Sequence, residues 1–334
     1  MRWNIRDWLP ILFCGLSIPL SLFMWLGNSF VSKLWAKEFE ESPVIPPTRW
    51  LFSIFTPLLM MVVALKRKSV NKSGAAFGII TAIILSIANH AFFASLATFF
   101  FTSSRATKFR SHMKKKIEKD FKEGEGQRNW VQVLCNSGMA TQLAMLYLID
   151  VGSSERTINF VKDYRASWLG IAVMSVFASC NGDTWASELG SVLSKGDPFL
   201  ITSLKKVPRG TNGGVSLIGI FVSFLAGIAV GLAYFFTIYF TAPTHMMLVA
   251  PPQWPLILWG GFAGLFGSLV DSVLGATLQY SGIDEEGKIV DTPAAGVKYI
   301  SGLRIIDNHS VNLISSIITG VCIPVFAMKY WPER

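Results

Sequence analysis

Long apolar runs separated by short polar interruptions dominate the chain. Ile11–Val31, Trp130–Ile149 and Ser310–Met328 contain no formally charged residue. Each is as long as the roughly 17–25 residues that a helix needs to cross a bilayer. Between Gly210 and Ile283 the only formal charge is Asp271, and that span has room for two passes. Gly74–Thr102 is also apolar, but Asn89 and His90 sit in its middle. At about 1.5 Å per residue, each half of that run reaches only about 20 Å. The pattern predicts two short helices, Ala75–Ala88 and Ala91–Ser103, that enter and return, with the Asn-His pair at the turn. One long tilted helix is the other reading.

The predicted fold is therefore all-α, a polytopic membrane helical bundle of about nine helices that includes a short helical hairpin. Residues 1–334 form a single integral membrane domain, with a basic loop at 105–129. Gly227 and Gly231, then Gly260, Gly264, Gly267 and Gly275, punctuate the last third. Small residues four apart let membrane helices approach closely, so these are expected to serve packing.

Composition agrees with a membrane protein. Hydrophobic residues make up 51% of the chain and charged residues 15%, against roughly 25% charged in soluble domains. Ile11–Val31 is too long for a secretory h-region and lacks a clear small-residue cleavage site, so no cleaved signal is expected. Cys14, Cys135, Cys180 and Cys322 are scattered without a C-x-x-C pair, and the four histidines are dispersed. Neither a disulfide framework nor a zinc or histidine metal centre is indicated.

The net charge of +9 matters through its placement. Arg105–Arg128 holds nine basic residues, and Lys66–Ser73 holds four more without an acid. Cytoplasmic loops collect Lys and Arg, and only a hairpin puts both of these loops on one side. With it, the N-terminus (Arg2, Arg6) and loops Lys66–Ser73, Arg105–Asn129, Gly190–Gly214 and Gln279–His309 are all expected to be cytoplasmic. Ser32–Arg49, Asp150–Arg165 and Thr241–Gln253 face the other way. The endoplasmic reticulum is the expected membrane. The triplets Asn71-Lys72-Ser73 and Asn308-His309-Ser310 fall on the cytoplasmic side and are expected to carry no glycan. Loop placement accounts for the positive charge, so no nucleic-acid partner is expected. The oligomeric state is left open.

Four polar clusters interrupt the apolar pattern, all on or near that cytoplasmic side. SCNGDTWASELG, Ser179–Gly190, comes directly after the apolar run Trp168–Ala178. An ionisable residue at membrane depth is costly and marks a candidate site. On a continuous helix Asp183 shares a face with Ser187, and Thr184 with Glu188, while Gly182 offers a point where the helix would break. A helix-capping Asp at the membrane edge is the plainer alternative.

KKVPRGTNGGVS, Lys205–Ser216, reads as a basic glycine loop running directly into a helix at Val215. Backbone N–H groups bared by Gly210, Gly213 and Gly214 suit a phosphate, and Lys205, Lys206 and Arg209 add full charges. An ordinary glycine-rich loop with positive-inside charges is the alternative. GSLVDSVLGATLQ, Gly267–Gln279, buries the lone acid Asp271, which needs a basic partner or a metal ion. GQRNWVQVLCN and DNHSVN bring Arg128, Asn129, Gln132 and Asn136 to one helix start and Asn312 to another. Capping and interhelical hydrogen bonding serve equally well there. GIDEEGKI, Gly282–Ile289, looks like a phosphate loop but ends in Ile, carries three acids and comes after a helix instead of a strand, so it is set aside.

Carboxylates for a metal beside a basic glycine loop fit a membrane enzyme acting on a phosphorylated lipid and a nucleotide. Mg²⁺ is commonly held by one or two carboxylates plus substrate phosphates. Phosphoryl transfer then needs mainly positioning and charge neutralisation.

In this order, GQRNWVQVLCN, GDTWASELG, KKVPRGTNGGVS, VDSVLGATLQ and DNHSVN resemble the transmembrane protein 19 family over nearly the whole chain. That family includes phytyl-phosphate and related prenyl-phosphate kinases. More distantly, the second and third motifs resemble those of CTP-dependent polyprenol kinases. The resemblance implies transfer of a phosphoryl group from CTP, or another nucleoside triphosphate, to an isoprenoid monophosphate such as phytyl or geranylgeranyl phosphate. It implies Mg²⁺ at Asp183, Glu188 and Asp271. Nucleotide phosphates would be held by Lys205, Arg209, Gly210, Thr211, Asn212, Gly213 and Gly214, with Asp183, Asp271 and Lys205 as the catalytic set. Arg128, Asn136 and Asn312 would contact the substrate. A phosphate acceptor is largely ionised at pH 7 and needs no general base, which suits a site with no His beside either motif.

Two other classes remain. Intramembrane acids and broken helices also describe a transporter of an anionic or lipid-phosphate substrate. A non-catalytic lipid-binding scaffold would use Arg105–Arg128 on anionic headgroups. Flux without nucleotide marks the former, and absence of nucleotide binding marks the latter.

Overall fold

The computed structural model describes residues 5–35, 45–115 and 127–333. The remaining residues, which include Arg2 and residues 116–126 of the predicted basic loop, lie outside the described part.

The chain is an all-α bundle in the order α1 (Ile5–Trp35), α2 (Pro47–Lys66), α3 (Lys72–Ala88), α4 (His90–Lys115), α5 (Trp130–Asp150) and α6 (Tyr164–Trp185). A π-helical turn, Ala186–Gly190, and the three-residue α7 (Ser191–Leu193) extend α6. Then come β1 (Phe199–Leu200), β2 (Gly214–Val215), α8 (Leu217–Thr241), α9 (Thr244–Val249) and α10 (Pro255–Leu278). Strands β3 (Ser281–Ile283), β4 (Ile289–Val290) and β5 (Lys298–Ser301) precede α11 (Asn308–Tyr330). Helices α2, α8, α10 and α11 are long and apolar enough to cross a membrane.

Helix α6 is the axis of the bundle. Every residue from Ser167 to Gly182 is buried except Trp168, and α4, α5, α8, α10 and α11 pack around it. Small residues make that possible, since without a hydrophobic drive between helices in lipid, close backbone approach is what holds them. A methyl group at Gly182 would collide with the Gly264 carbonyl on α10, and one at Gly267 with the Ser179 side chain on α6. Gly227 and Gly231 of α8 meet Gly260 and the Leu256–Ile257 backbone of α10 in the same way. The glycine spacing in the last third is a packing device, as the sequence pattern predicts.

The apolar run 74–102 is two antiparallel helices. Asn89 is extended (φ −160°) and closes α3, and its side chain accepts from Ala91 N. The chain then returns. Val70, just before α3, bridges to Arg128, whose Nη1 donates to Ser104 on α4 at 3.0 Å. Lys108 Nζ on α4 donates to the Arg67 carbonyl at 2.7 Å. The described parts of both basic segments therefore lie at one end of the bundle. The second helix runs further than the sequence reading, through Lys115.

The small strands also depart from a purely helical reading. β1 and β2 pair antiparallel, Phe199 opposite Val215. β3 is the middle of a three-stranded antiparallel sheet with β4 and β5. GIDEEGKI is the exposed β3–β4 hairpin, where Lys288 N donates to Asp284 Oδ1 at 2.7 Å and Lys288 Nζ pairs with Glu286 at 2.9 Å. These contacts are those of a tight turn, and they leave no cradle for a phosphate.

Candidate functional site

The polar stretch after Ala178 does not break the helix at Gly182. That glycine is instead the contact with Gly264, and α6 continues to Trp185 before widening into the π turn. The extra residue in such a turn rotates the later side chains around the helix axis, and π turns frequently occur at functional sites. Thr184 donates to the Cys180 carbonyl at 2.8 Å. Asn181 is fully buried and ties three helices: its Nδ2 donates to Ala226 O (2.9 Å) and its Oδ1 accepts from Thr102 Oγ1 (2.8 Å).

Two residues further along α6, Asp183 meets Asp271 of α10, and the two carboxyls are within hydrogen-bonding reach of each other. Among the described residues, neither forms an ion pair with Lys, Arg or His. Ser315 Oγ donates to Asp271 Oδ2 at 3.4 Å. The Asn312 amide lies between Asp271 and Asn136: oriented to satisfy its partners, Nδ2 donates to Asp271 Oδ2 at 3.1 Å and to Asn308 O at 3.2 Å, while the other amide atom lies 3.4 Å from Asn136 Oδ1. Asn136 in turn accepts from Cys180 Sγ through its carbonyl, at 3.4 Å. Helices α5, α6, α10 and α11 thus converge on two touching acids.

The basic glycine loop does not enter a helix directly. Gly214–Val215 first pair with β1, and α8 begins at Leu217 with Ser216 as its cap, accepting from Gly219 N at 3.0 Å. The loop is stitched in place. Thr211 Oγ1 donates to Pro208 O (2.7 Å). Asn212 N donates to Ser281 Oγ (3.0 Å), and its Nδ2 to Tyr280 O (3.1 Å) and Asp291 Oδ1 (3.3 Å). Arg209 Nη2 donates to Ser194 O at 2.9 Å. Gly210 (φ +92°) and Gly213 (φ +78°) adopt the left-handed conformation that glycine accepts without steric cost. Gly213 also presses on Ser272 and Ala276 of α10, where no Cβ fits.

These elements enclose a cavity of about 370 Å³. Asp183, Glu188 and Asp271 line it together with Arg209, Gly210, Thr211, Asn212, Gly213 and Gly214. Three motifs well separated in the chain thus share one cavity. Lys205 is exposed at the loop's outer turn and does not line the cavity. Asn136, Asn312 and Arg128 stand behind it. Arg128 lies over the rings of Phe99 (5.4 Å) and Phe100 (5.6 Å). Burial pushes its guanidinium down to about 10, partly offset by the nearby Cys180 and Glu188, so it stays charged at neutral pH.

Among the described residues, no group of three or more His, Cys, Asp or Glu side chains is placed to hold a metal. The protein's own set is the touching pair. Two carboxylates pressed together repel, and a shared proton or a cation relieves that cost. Hard oxygens suit Mg²⁺, which takes the remainder of its shell from water or phosphate.

A second buried polar cluster has no counterpart in the sequence reading. At the opposite end of the bundle, Arg49 makes a two-pronged pair with Glu155, both contacts 2.9 Å. The same guanidinium donates to the Ile87 and Ala88 carbonyls at the end of α3. His90 Nδ1 is 3.1 Å from Glu155 Oε1. The only available signal is a charge at each edge of an apolar run, with nothing to pair them.

Fold and site together define a polytopic integral membrane protein with a carboxylate-lined cavity at one end of its helix bundle. Residues 55–320 match the family described as integral membrane protein DUF92, and the chain belongs to that family. Protein PGR of Arabidopsis thaliana is 41% identical over 276 residues, 82% of this chain and 95% of that protein. Protein VTE6, chloroplastic, from the same plant is 27% identical over 197 residues, 58% of this chain and 50% of that protein. An uncharacterized membrane protein of Methanocaldococcus jannaschii, MJ0933, is 28% identical over 155 residues, 46% and 50% of the two chains. No solved structure matches.

Proposed function

We propose that this protein is a prenyl-phosphate kinase that moves a phosphoryl group from a nucleoside triphosphate, CTP by preference, to an isoprenoid monophosphate. The observation that carries the reading is the contact between Asp183 and Asp271 inside a cavity whose other wall is the Arg209–Gly214 loop. Its resemblance to prenyl-phosphate kinases through the five motifs supports the same reading.

In this reading Asp183 and Asp271 would hold Mg²⁺, which would supply positive charge to offset that of the transferring phosphoryl group. Glu188, on the π turn, adds negative charge to the same wall. Arg209, fixed by the Ser194 carbonyl, and the glycine backbone face the nucleotide phosphates. An oxygen of the acceptor phosphate forms a bond to the γ-phosphorus as the bond to the β,γ-bridging oxygen breaks, and a nucleoside diphosphate leaves. The acceptor is already ionised, so the site needs no base. The cavity end faces the cytoplasm, where the basic segments belong by the positive-inside rule and where nucleotide is present.

Purified protein with Mg²⁺, CTP or ATP, and phytyl or geranylgeranyl phosphate is expected to form the diphosphate. Asp183→Asn should abolish transfer while leaving the unfolding temperature near that of the parent. No diphosphate with any of these pairs would overturn the kinase reading, and nucleotide-independent flux of a lipid phosphate through liposomes would replace it with a transporter.

A further inference from the structure

A second cavity lies beside the first and differs from it in chemistry. It runs between α2, α3, α4 and α5, walled by Met60, Met61, Gly78, Leu96, Phe99 and Phe100. Almost all of its surface is apolar, yet Arg128 and Asn136 belong to its lining. Asn136 is also the residue whose side chain meets Asn312 and whose carbonyl accepts from Cys180, one turn before Asp183. Asn136 therefore links this groove to Asn312 and Cys180, which neighbour Asp271 and Asp183. Among the described residues, Arg128 donates to one side chain, Ser104, and lies against two aromatic faces. A guanidinium has five N–H donors and is suited to a planar, two-pronged grip on phosphate.

We infer that this groove seats the hydrocarbon tail of a lipid monophosphate, with Arg128 at its head and the phosphate directed toward Asp183 and Asp271. This rests on the kinase reading for the direction of the headgroup, but the binding itself does not require transfer. The groove lies among helices of a membrane protein, so a tail that enters it leaves lipid and gains little from the hydrophobic effect. Selection must come from shape and from the charge on Arg128. A branched isoprenoid fits walls of methionine and phenylalanine, since methionine re-packs around irregular shapes at small cost. The groove as it stands holds about 40 Å³, far short of an isoprenoid chain, so its walls around Met60, Met61, Phe99 and Phe100 must open to admit one. A Cβ at Gly78 would stand 2.9 Å from Met61 Cε, which makes Gly78 the place where the groove can be filled.

The test uses the full chain in lipid nanodiscs and a diazirine-bearing geranylgeranyl monophosphate, with the labelled peptides identified by mass spectrometry. Label is expected on α2 and α4 around Met60, Met61 and Phe99. Unlabelled geranylgeranyl phosphate should compete, and geranylgeraniol and phosphatidic acid should not. Gly78→Leu should cut labelling about tenfold, the equivalent of about 1.4 kcal/mol, and the Gly78→Leu/Met61→Ala double variant should restore it by returning the lost room. Restoration shows that Gly78→Leu acts by filling the groove and not by unfolding the chain. Label spread over lipid-facing residues, equal competition by geranylgeraniol or by phosphatidic acid, or no rescue in the double variant would overturn the inference. Groove labelling without diphosphate formation sinks the kinase reading alone, and diphosphate formation with label elsewhere sinks the groove alone.

Discussion

Arg49 and Glu155 show how much a single buried pair can govern. Glu155 lies in the segment between α5 and α6, largely buried. Burial would raise its pKa, but the hydrogen bonds from His90 and Arg49 and the charge of Arg49 prevail and hold it at about 2, against an ordinary 4.5. At about 1.36 kcal/mol per pH unit, that difference stabilises the fold by roughly 3 kcal/mol when the carboxylate is ionised. The folded value is depressed, so this contribution is present above pH 4.5 and lost as pH falls toward 2. Thermal unfolding in detergent should show Glu155→Gln well below the parent at pH 7, with the gap closing between pH 4.5 and 2. A gap that stays constant across that window would show that the carboxylate's charge is not what matters. Arg49→Ala should cost more, on the order of 3–5 kcal/mol, because it strands a buried anion and frees two helix-end carbonyls.

Acids in apolar surroundings are the residues that a sequence declares most clearly. Asp183 and Asp271 stand out because nothing near them in the chain offsets their cost, and the structure brings them into contact. Arg49 and Glu155 are hidden because each sits at the edge of its run, where a charge is unremarkable, and the partner is 106 positions away. The roles of Arg209 and Asn212 are equally out of reach. Composition marks them as donors facing a ligand, whereas much of their hydrogen bonding goes to neighbouring backbone and fixes the loop.

At the level of elements, charge placement is more informative than periodicity. The return at Asn89–His90 can be inferred from two basic segments that a single crossing would separate. The π turn is invisible in sequence, because inserting one residue into a helix leaves the hydrophobic pattern of a polar stretch unchanged. Strands of two to four residues carry too little alternation to detect. The glycine seams give a sharper test. Gly182 touches the α10 backbone next to the carboxylates, so Gly182→Ala must push α6 and α10 apart, since no side chain there can move out of the way. Overpacking of this kind typically costs about 1–3 kcal/mol, and the added separation falls between Asp183 and Asp271. Transfer should drop more than stability does. Gly15→Ala, where no atom lies within reach of the added methyl, should leave both unchanged. Equal loss of activity in the two variants would remove the link between helix spacing and the acid pair.

For the whole molecule, the geometry fixes two ends without saying which side of a membrane each one faces. Arg67, Lys108, Arg128, Glu188 and the Arg209–Gly214 loop gather at one end. Arg49, Glu155, Gln253 and Trp331 gather at the other, joined by Gln253 to the Ile158 backbone and by the Phe160–Trp331 ring contact. If the basic end is cytoplasmic, single cysteines at the two ends must answer oppositely to a membrane-impermeant maleimide. Leu204 is 75% exposed beside the glycine loop, and Val161 is 89% exposed between α5 and α6. Cys135 and Cys180 are buried and Cys322 is half-buried, so replacing Cys14 and Cys322 with serine leaves a quiet background. In sealed vesicles with the cytoplasmic face outward, Leu204→Cys should label at once and Val161→Cys only after detergent is added. The two native N-x-[ST] triplets, at Asn71 and Asn308, belong to the basic end and should carry no glycan when the protein passes through a secretory membrane. The reverse labelling order, or a glycan on either asparagine, would turn the molecule over and put the carboxylate cavity on the side away from cytoplasmic nucleotide. The kinase reading would then lose its donor, whatever the geometry of Asp183 and Asp271.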